Sequence, residues 1–326
     1  MHVLQIILII LISLLLIYFV VCWFLCNSVI LRKKLSHKEG FEWEHEHNNI
    51  PENYENSIPT IDFKFNSPRG YTLYGKWLFP DEETANKFKS ESFSISNTDS
   101  PVKVVVFSHG HGSCLSGMYK YASMYLPKGF ICLVYDHVHE GISEGKYITM
   151  GKLESQDLED IVTKVYEKCG KNTIVGVHGE SMGSATAVMH HCRDSRIAFT
   201  VADCPYADLN TQLGTCINRF YHLPQTPLLQ TVSLLAKIRA KFFFGEVSPI
   251  TELKEKKGTP DKPLMLVHGL ADKFVPCQSS KDLFSVKKGI KKLYLVPKAK
   301  HASSFTENPD EYKKQLYAFL TELKII

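Results

Sequence analysis

The pentapeptide Gly179-Glu180-Ser181-Met182-Gly183 has residue types and a spacing that could support nucleophilic chemistry. It follows an apolar run at 173–177 and precedes a run of small residues at 184–189, an order that predicts a strand, a sharp turn and a helix. At such a turn the serine hydroxyl projects above the sheet, and the glycines avoid collisions with the neighbouring strand and helix. Three fixed positions recur by chance, so the pattern alone is as typical of an ordinary Gly/Ser turn.

The nucleophilic interpretation requires two partners for Ser181. A serine hydroxyl needs a base within hydrogen-bond reach, and the base needs an orienting carboxylate. Among fourteen histidines, His301 follows the last predicted strand and precedes the final helix, while Asp272 follows the preceding strand. The order Ser, Asp, His is the one expected for this sheet topology. Because all three loops meet at the carboxyl edge of the sheet, we predict Ser181 as nucleophile, Asp272 as acid and His301 as base.

The negative charge that develops during acyl transfer requires backbone N–H donors. Met182 directly follows the serine at a helix N-terminus, where the helix dipole also favours an anion. A second donor is expected from the loop after the first parallel strand, at residues 108–113. The N–H groups of Met182 and His111 are therefore the predicted oxyanion hole.

Other residues near these loops are expected to have structural roles. Asp203 also ends a strand and is the main rival acid, but a Cys-Pro turn follows it. Asp136 is predicted to organise its loop. Roles in packing or loop shape are also expected for His109, His178, His190, His191, His268 and Cys277. The adjacent pair His190 and His191 lacks the spacing of a metal site.

The elements that position these residues alternate between strands and helices. Segments 61–65 and 71–79 alternate in polarity around a Ser-Pro-Arg-Gly turn and predict an antiparallel hairpin. The later strands are predicted at 102–107, 130–135, 173–177, 198–202, 264–267 and 292–296. The helices are predicted at 118–126, 153–168, 184–192, 279–286 and 312–323. Strands this apolar are covered on both faces, which indicates a mostly parallel α/β sheet with helices on both sides.

Two stretches interrupt this alternation. The Ser/Asn/Asp/Glu-rich residues 81–100 predict an exposed loop. Residues 205–262 contain no clear strand and are predicted to form a helical insertion, which we interpret as a lid over the carboxyl edge of the sheet. A second membrane span is excluded there because Lys237, Arg239 and Lys241 interrupt the only long apolar run.

The N-terminal residues 3–31 contain no charged side chain and predict a transmembrane anchor. A cleaved signal peptide fits poorly, since the apolar run is long, no basic residue precedes it and no clear cleavage site follows. Arg32, Lys33, Lys34 and Lys38 then place the body in the cytoplasm by the positive-inside rule. Residues 32–59 are predicted to be a solvated polar linker, and residues 60–326 the catalytic domain.

Composition excludes several other classes. With 44% hydrophobic and 22% charged residues, the chain of 326 residues is globular. A net charge of +4 without a basic cluster gives no support for nucleic-acid binding. The nine cysteines form no C-x-x-C pair, which favours reduced thiols over disulfides or zinc. The predicted chemistry needs no metal and no cofactor, and no protein partner is evident.

These features together resemble the α/β-hydrolase superfamily, and are most similar to membrane-anchored bacterial serine hydrolases of the BEM46-like and S33-peptidase-like branch. The resemblance covers residues 61–326. It rests on the stretches 106–110, 135–143, 177–183, 201–206 and 267–276 and on the pair His301-Ala302. It implies the same triad and the same oxyanion hole. Glu140 departs from the pattern of many relatives, and this departure concerns the contacts of its own loop rather than the triad.

Three functions remain open at this point. The first is hydrolysis of a carboxylic ester, with a lipid-like substrate suggested by the anchor and the lid. The second is cleavage of an amide or peptide bond, as in S33-like aminopeptidases, because the same acyl chemistry serves both bonds. The third is a non-catalytic, anchored binding protein on a hydrolase fold. The motifs do not separate ester from amide, and they do not identify the substrate.

Overall fold

An eight-stranded sheet forms the centre of the computed structural model, which describes residues 2–90, 101–255 and 262–326. The strands are β1 (Thr60–Ser67), β2 (Tyr71–Leu78), β3 (Lys103–Ser108), β4 (Ile131–Tyr135), β5 (Ile174–Glu180), β6 (Phe199–Asp203), β7 (Leu264–Gly269) and β8 (Lys291–Val296). Their order is β1-β2-β4-β3-β5-β6-β7-β8. The hairpin β1–β2 and the pair β2–β4 are antiparallel, and the remaining pairs are parallel. The mostly parallel sheet predicted from the sequence is confirmed.

Helices surround the sheet and extend to the N-terminus. They are α1 (His2–Ile30), α2 (His37–Glu46), α3 (Tyr54–Ser57), α4 (Glu82–Lys89), α5 (Tyr119–Tyr125), α6 (Lys152–Cys169), α7 (Met182–His191), α8 (Leu209–Tyr221), α9 (Leu228–Ala240), α10 (Pro249–Glu255), α11 (Gln278–Val286), α12 (Ser304–Glu307) and α13 (Pro309–Glu322). Short 3₁₀ turns lie at Leu115–Met118, Leu126–Lys128 and Phe244–Glu246.

Alternating side chains of β3 place the core on both faces of the sheet, because successive residues of a strand point to opposite sides. Val105 and Phe107 pack with buried residues of α5 and α13. Val104 and Val106 pack instead with buried residues of α6. The sheet is thereby covered by helices on both faces, which explains why central strands such as β3 and β4 are apolar at nearly every position.

Two segments differ from the sequence-based expectation. The solvated linker predicted for residues 32–59 is wrong in one respect, because α2 packs on the domain and Glu44 on α2 is buried. The exposed loop predicted at 81–100 begins instead with α4, whose N-cap Asp81 accepts a hydrogen bond from the N–H of Thr84. Residues 91–100 of that predicted loop lie outside the described residues. The nine cysteines all lie in the described ranges and form no disulfide bond.

Helix α1 is long and apolar enough, by length and composition, to cross a membrane. Its first two thirds are exposed, and its buried side chains are Cys22, Leu25, Cys26, Val29 and Ile30. These side chains join a cluster with α8, α9 and the start of α7. The segment at 205–262 contains the helices α8, α9 and α10 joined by loops, and residues 256–261 lie outside the described residues.

Candidate active site

Ser181 lies in a strained turn between β5 and α7. Its φ of 54° and ψ of −118° fall in a region that residues with a Cβ rarely adopt. A Cβ on Gly179 would lie 2.2 Å from the carbonyl oxygen of Gly183, and one on Gly183 would lie 1.9 Å from that of Ser108. The glycines are therefore required by the close approach of the backbones. The turn is further fixed because the N–H of Ser181 donates to the carbonyl oxygen of Asp203 at 2.8 Å.

A chain of two hydrogen bonds joins Ser181, His301 and Asp272. The hydroxyl of Ser181 lies 2.8 Å from Nε2 of His301, and Nδ1 of His301 lies 2.7 Å from Oδ2 of Asp272. Asp272 follows β7 and His301 follows β8, so three separate loops meet at the carboxyl edge of the sheet. With Nδ1–H donated to the carboxylate, Nε2 is free to accept the proton of the serine.

Asp272 is held as an anion by several donors. Its Oδ1 accepts the N–H groups of Phe274 and Val275 at 2.8 and 2.9 Å. Nε2 of His268 lies 3.3 Å from its Oδ2. Burial would raise the pKa of Asp272, but the hydrogen bonds from His268 and His301 outweigh this and hold the pKa well below its usual value. The carboxylate therefore stays charged beneath His301 at neutral pH.

The loop after β3 lies against the serine. A Cβ on Gly110 would lie 3.3 Å from Cβ of Ser181. Met182 is the first residue of α7, so its N–H has no intrahelical acceptor. The imidazole of His111 hydrogen-bonds through Nε2 to the carbonyl oxygen of Val29 at 2.9 Å, which requires a protonated Nε2. Burial, with a further contribution from the charge of Arg32, lowers the pKa of His111 to about 4, so the ring is neutral at pH 7.

Glu140 holds the same loop from the other side. Its Oε1 accepts the N–H of Gly112 in a short hydrogen bond. Oε2 lies 3.8 Å from Nδ1 of His109. Burial raises the pKa of Glu140 well above its usual range, which favours the uncharged acid. Glu140 is therefore an internal brace of the loop rather than a contact for ligands.

A cavity of about 400 Å³ opens at Ser181 and His301. This volume falls within the range of pockets that bind small molecules, about 300–1,000 Å³. Phe274 forms part of its wall, and its ring centroid lies 4.9 Å from that of His301. The other walls are mainly apolar side chains of α8 and α9, together with residues from the end of α1.

The rival acid Asp203 is engaged elsewhere. Its carboxylate accepts hydrogen bonds from Ser304 at 2.9 Å and from Tyr121 at 3.1 Å. Burial raises its pKa to about 6, with a further contribution from the charge of Glu180. Asp203 lies under the strained turn, whereas the carboxylate that meets His301 is Asp272.

The remaining candidates also have identifiable contacts. Asp136 accepts the N–H groups of Leu115 and Ile142 at 2.7 and 2.9 Å, as expected of a residue that organises its loop. The others are buried among polar or aromatic partners: His109 with the carbonyl oxygen of Gly110, His178 with Tyr125 and Tyr312, His190 with Asp194, and His191 with Thr200. Cys277 is partly buried at the start of α11.

One group of described residues has the spacing of metal ligands, namely Cys204, Asp272 and His301, whose ligand atoms lie within 4.8 Å of one another. Both ring nitrogens of His301 are already engaged, one with Asp272 and the other with Ser181. Burial raises the pKa of Cys204 well above its usual value, so its sulfur is a neutral thiol and a poor ligand. The group is suited to proton transfer rather than to metal binding.

Sequence reasoning missed two contributions to this site. Lys120 on α5 is fully buried and pairs with Glu180 at 2.8 Å, directly before Ser181, and with Glu44 at 3.0 Å. The end of α1 lines the cavity through Leu25, Ser28 and Val29. The buried lysine gives no sequence signal, because charged residues on short helices are normally exposed. Apolar residues lie on all sides of α1, so its sequence likewise marks no face for docking.

Comparison with known proteins gives a matching family and a curated relative. Residues 147–324 match the prolyl oligopeptidase family. The chain is 31% identical over 243 residues to the uncharacterized protein YqkD of Bacillus subtilis (strain 168), which covers 74% of this chain and 78% of YqkD.

Solved structures share the fold. An esterase of Pyrococcus furiosus, Pf2001, superposes with a TM-score of 0.62 at 22% identity, and covers 83% of this chain and 93% of the esterase. The acylaminoacyl peptidase of Pyrococcus horikoshii gives a TM-score of 0.57 at 16% identity, over 81% of this chain and 41% of the peptidase. At these identities the similarity establishes the fold alone.

Proposed function

The chain belongs to the prolyl oligopeptidase family, within the α/β-hydrolase superfamily, and on this basis we propose that it is a membrane-anchored serine hydrolase that cleaves a carboxylic ester. The observation that carries the proposal is the pair of hydrogen bonds from Ser181 to His301 and from His301 to Asp272, at 2.8 and 2.7 Å. A strained serine, an imidazole and a buried carboxylate in this order provide a nucleophile, a base and an orienting anion.

In the proposed mechanism the hydroxyl oxygen of Ser181 attacks the ester carbonyl while Nε2 of His301 takes its proton. Asp272 stabilises the imidazolium that forms. The N–H groups of Met182 and His111 stabilise the oxyanion of the tetrahedral intermediate. His301 then gives the proton to the leaving alcohol, which leaves an acyl ester on Ser181. Water, activated by the same histidine, releases the carboxylic acid and restores the serine.

The test is labelling of the full-length protein in detergent with a fluorophosphonate probe, followed by assays with p-nitrophenyl esters. We expect the probe to modify Ser181. Ser181→Ala should abolish labelling and lower kcat by about 10³-fold or more, because the triad acts as a unit. Ser285→Ala, at an exposed serine on α11, is the matched control and should retain both properties. Equal ester hydrolysis by the wild type and Ser181→Ala would refute the mechanism.

Amide or peptide cleavage is the second candidate. It is favoured by the match to the prolyl oligopeptidase family and by the fold shared with an acylaminoacyl peptidase. The apolar walls of the cavity favour an acyl chain instead, since an extended peptide requires polar partners for its backbone. Aminoacyl p-nitroanilides assayed beside p-nitrophenyl acyl esters distinguish the two. A kcat/KM higher for the anilides would replace the ester proposal.

We also propose an arrangement of the domains. Residues 3–31 anchor the protein, residues 60–326 form the catalytic domain, and the helices within 205–262 form a lid over the cavity. The basic residues Arg32, Lys33 and Lys34 support a cytoplasmic location of the domain. Protease protection of a C-terminal tag tests the orientation: the tag should be degraded in inside-out vesicles and protected in right-side-out ones.

A further inference from the structure

Helix α1 is longer than a membrane span requires. It contains 29 residues, whereas about 20 are enough to cross the hydrocarbon core. The excess of about nine residues matches the part of the helix that is buried against the domain, from Cys22 to Ile30. The part from Val3 to Val20 has the length of a span, and most of its side chains are exposed. Near its end, the hydroxyl of Tyr18 lies 2.6 Å from that of Thr231 on α9. The helix therefore divides into a lipid-facing part and a docked part.

Specific polar contacts fix the docked part to the domain. Arg239 on α9 donates to Oδ1 of Asn27 at 2.7 Å, and its guanidinium lies 3.9 Å from the ring of Trp23. The N–H of Ile148 donates to the carbonyl oxygen of Ile30 at 3.1 Å. His111 donates to the carbonyl oxygen of Val29. The last carbonyls of a helix lack intrahelical partners, so these donors stabilise the helix end against the loop that faces Ser181.

The docked part also forms a wall of the cavity at Ser181. Leu25, Ser28 and Val29 line it from α1, and Arg32 lines it just beyond the helix. Leu229 and Val232 of α9 line the same cavity. Phe220 and Tyr221 at the end of α8 line it too, although both are exposed to the extent of 49% and 44%. The cavity thus lies beside the docked end of α1.

Further apolar side chains are exposed on the helices next to α1. Leu234 and Ile238 lie on α9, the helix that packs along α1, with 50% and 59% of their surface exposed. Phe220 and Tyr221 at the end of α8 and Phe243 just after α9 are also exposed, and exposed aromatic residues are typical of surfaces at a membrane interface.

From these observations we propose that the end of α1 is part of the acyl-binding pocket and that the substrate is an ester lipid taken from the bilayer that holds the anchor. This inference rests on the proposed ester hydrolysis. The acyl chain lies against Leu25, Ser28 and Val29, with its carbonyl carbon at Ser181. The headgroup of the bound lipid lies near Arg32. The anchor is then a component of substrate recognition as well as a tether.

The first test uses the full-length protein in phosphatidylcholine vesicles and methylumbelliferyl esters of acetate, octanoate and palmitate. Ser28→Phe introduces a ring into the pocket wall, and Val20→Phe introduces the same ring where the helix is 68% exposed. We expect Ser28→Phe to lower the palmitate-to-acetate ratio of kcat/KM by about tenfold or more, the effect of losing roughly two buried methylenes. Val20→Phe should leave the ratio unchanged. An equal ratio in both variants would overturn the proposal.

If Ser28→Phe misfolds, the variant Leu25→Ala tests the same pocket wall. Leu25→Ala enlarges the same wall and should shift the preference towards longer acyl chains, opposite to the effect of the added ring. Fluorophosphonate labelling reports whether the nucleophile is intact in each variant. If the wild type neither reacts with the probe nor hydrolyses acetate, the proposed function fails. If the wild type reacts with the probe and hydrolyses acetate, but substitutions on α1 do not change the acyl-chain preference, only the present inference fails.

Delivery from the bilayer is tested separately with methylumbelliferyl palmitate. The probe is placed either in the vesicles that contain the protein or in protein-free vesicles mixed with them. Hydrolysis should be faster by about tenfold or more when protein and probe share a bilayer, because anchoring raises the effective concentration of the substrate. Equal initial rates would show that the substrate arrives through water, and would overturn a source in the bilayer.

Discussion

Replacing Lys120 by methionine should strongly destabilise the domain. The side chain is only 1% exposed and lies 3.0 Å from Glu44 and 2.8 Å from Glu180. Burial lowers the pKa of Lys120, but the two carboxylates outweigh this and hold the pKa above its usual value, so the ammonium is charged. Lys120→Met therefore leaves two buried carboxylates without their cation.

The magnitude follows from the cost of breaking a buried ion pair, about 3–5 kcal/mol when one partner is removed. For a domain of this size each kcal/mol changes Tm by about 2–4 °C, so we expect a decrease of about 6–20 °C. The assay is thermal unfolding followed by tryptophan fluorescence in detergent. Because Glu180 precedes Ser181, fluorophosphonate labelling should also slow in the folded variant.

The control is Lys87→Met, which removes an equally short pair with Glu83 at 2.6 Å on the exposed surface of α4. Solvent screens that pair, so its removal should leave Tm nearly unchanged. Glu44→Gln should cost less than Lys120→Met, because Lys120 keeps Glu180 as a partner. If Lys120→Met melts within about 2 °C of the wild type, the ion pairs do not stabilise the domain and the reasoning from burial is wrong.

Three further predictions concern the site and its surroundings. Asp272→Asn should lower kcat by about 10⁴-fold, because the imidazole of His301 loses its orienting anion, while Asp203→Asn should retain fluorophosphonate labelling. Glu140→Ala should lower kcat by about tenfold, because the loop at Gly112 loses its hydrogen-bond acceptor. Glu140→Gln keeps an acceptor and should retain most of the activity. Equal losses in the two variants would contradict the bracing role. Acidification should destabilise the protein between about pH 6.5 and 4, because the unfolded state then binds protons that the buried, neutral histidines of the folded state do not. The histidines whose pKa is lowered by burial are His109, His111, His137, His178 and His191. Each of these histidines contributes its full stabilisation at a pH above the pKa that it has in the unfolded state. That stabilisation is lost as the pH falls towards the pKa in the folded state, which is about 4 for His111. A Tm that stays constant over this interval would contradict the expected loss of stability on acidification.

The sequence by itself determined the sheet and the strained turn at Ser181. Both depend on local features, namely apolar runs of strand length, helical periodicity and glycines where backbones approach closely. Parallel strands send their following loops to one edge, so the order of Ser181, Asp272 and His301 along the chain was enough to predict that they meet. These predictions required no knowledge of distant contacts.

The choice between carboxylates needed the tertiary structure. Asp203 and Asp272 both follow buried strands, and sequence position favoured Asp272 without deciding it. Only the folded chain brings Oδ2 of Asp272 to 2.7 Å from His301 and directs Asp203 to Ser304 and Tyr121. The support that His268 gives to Asp272 was also missed, because a histidine four residues before an aspartate within a strand and loop has no regular geometry.

The tertiary structure alone decided how the N-terminal region joins the site. Glu44 belongs to a polar segment that predicts a solvated linker, yet it is buried because Lys120, 76 residues away, offers a partner charge. The docked part of α1 contains Asn27 and Ser28 but no charged side chain, so the sequence predicts one continuous span over residues 3–31. Lipid and the apolar surface of α8 and α9 satisfy the same side chains equally well, and only the fold shows that the end of the anchor lines the cavity at Ser181.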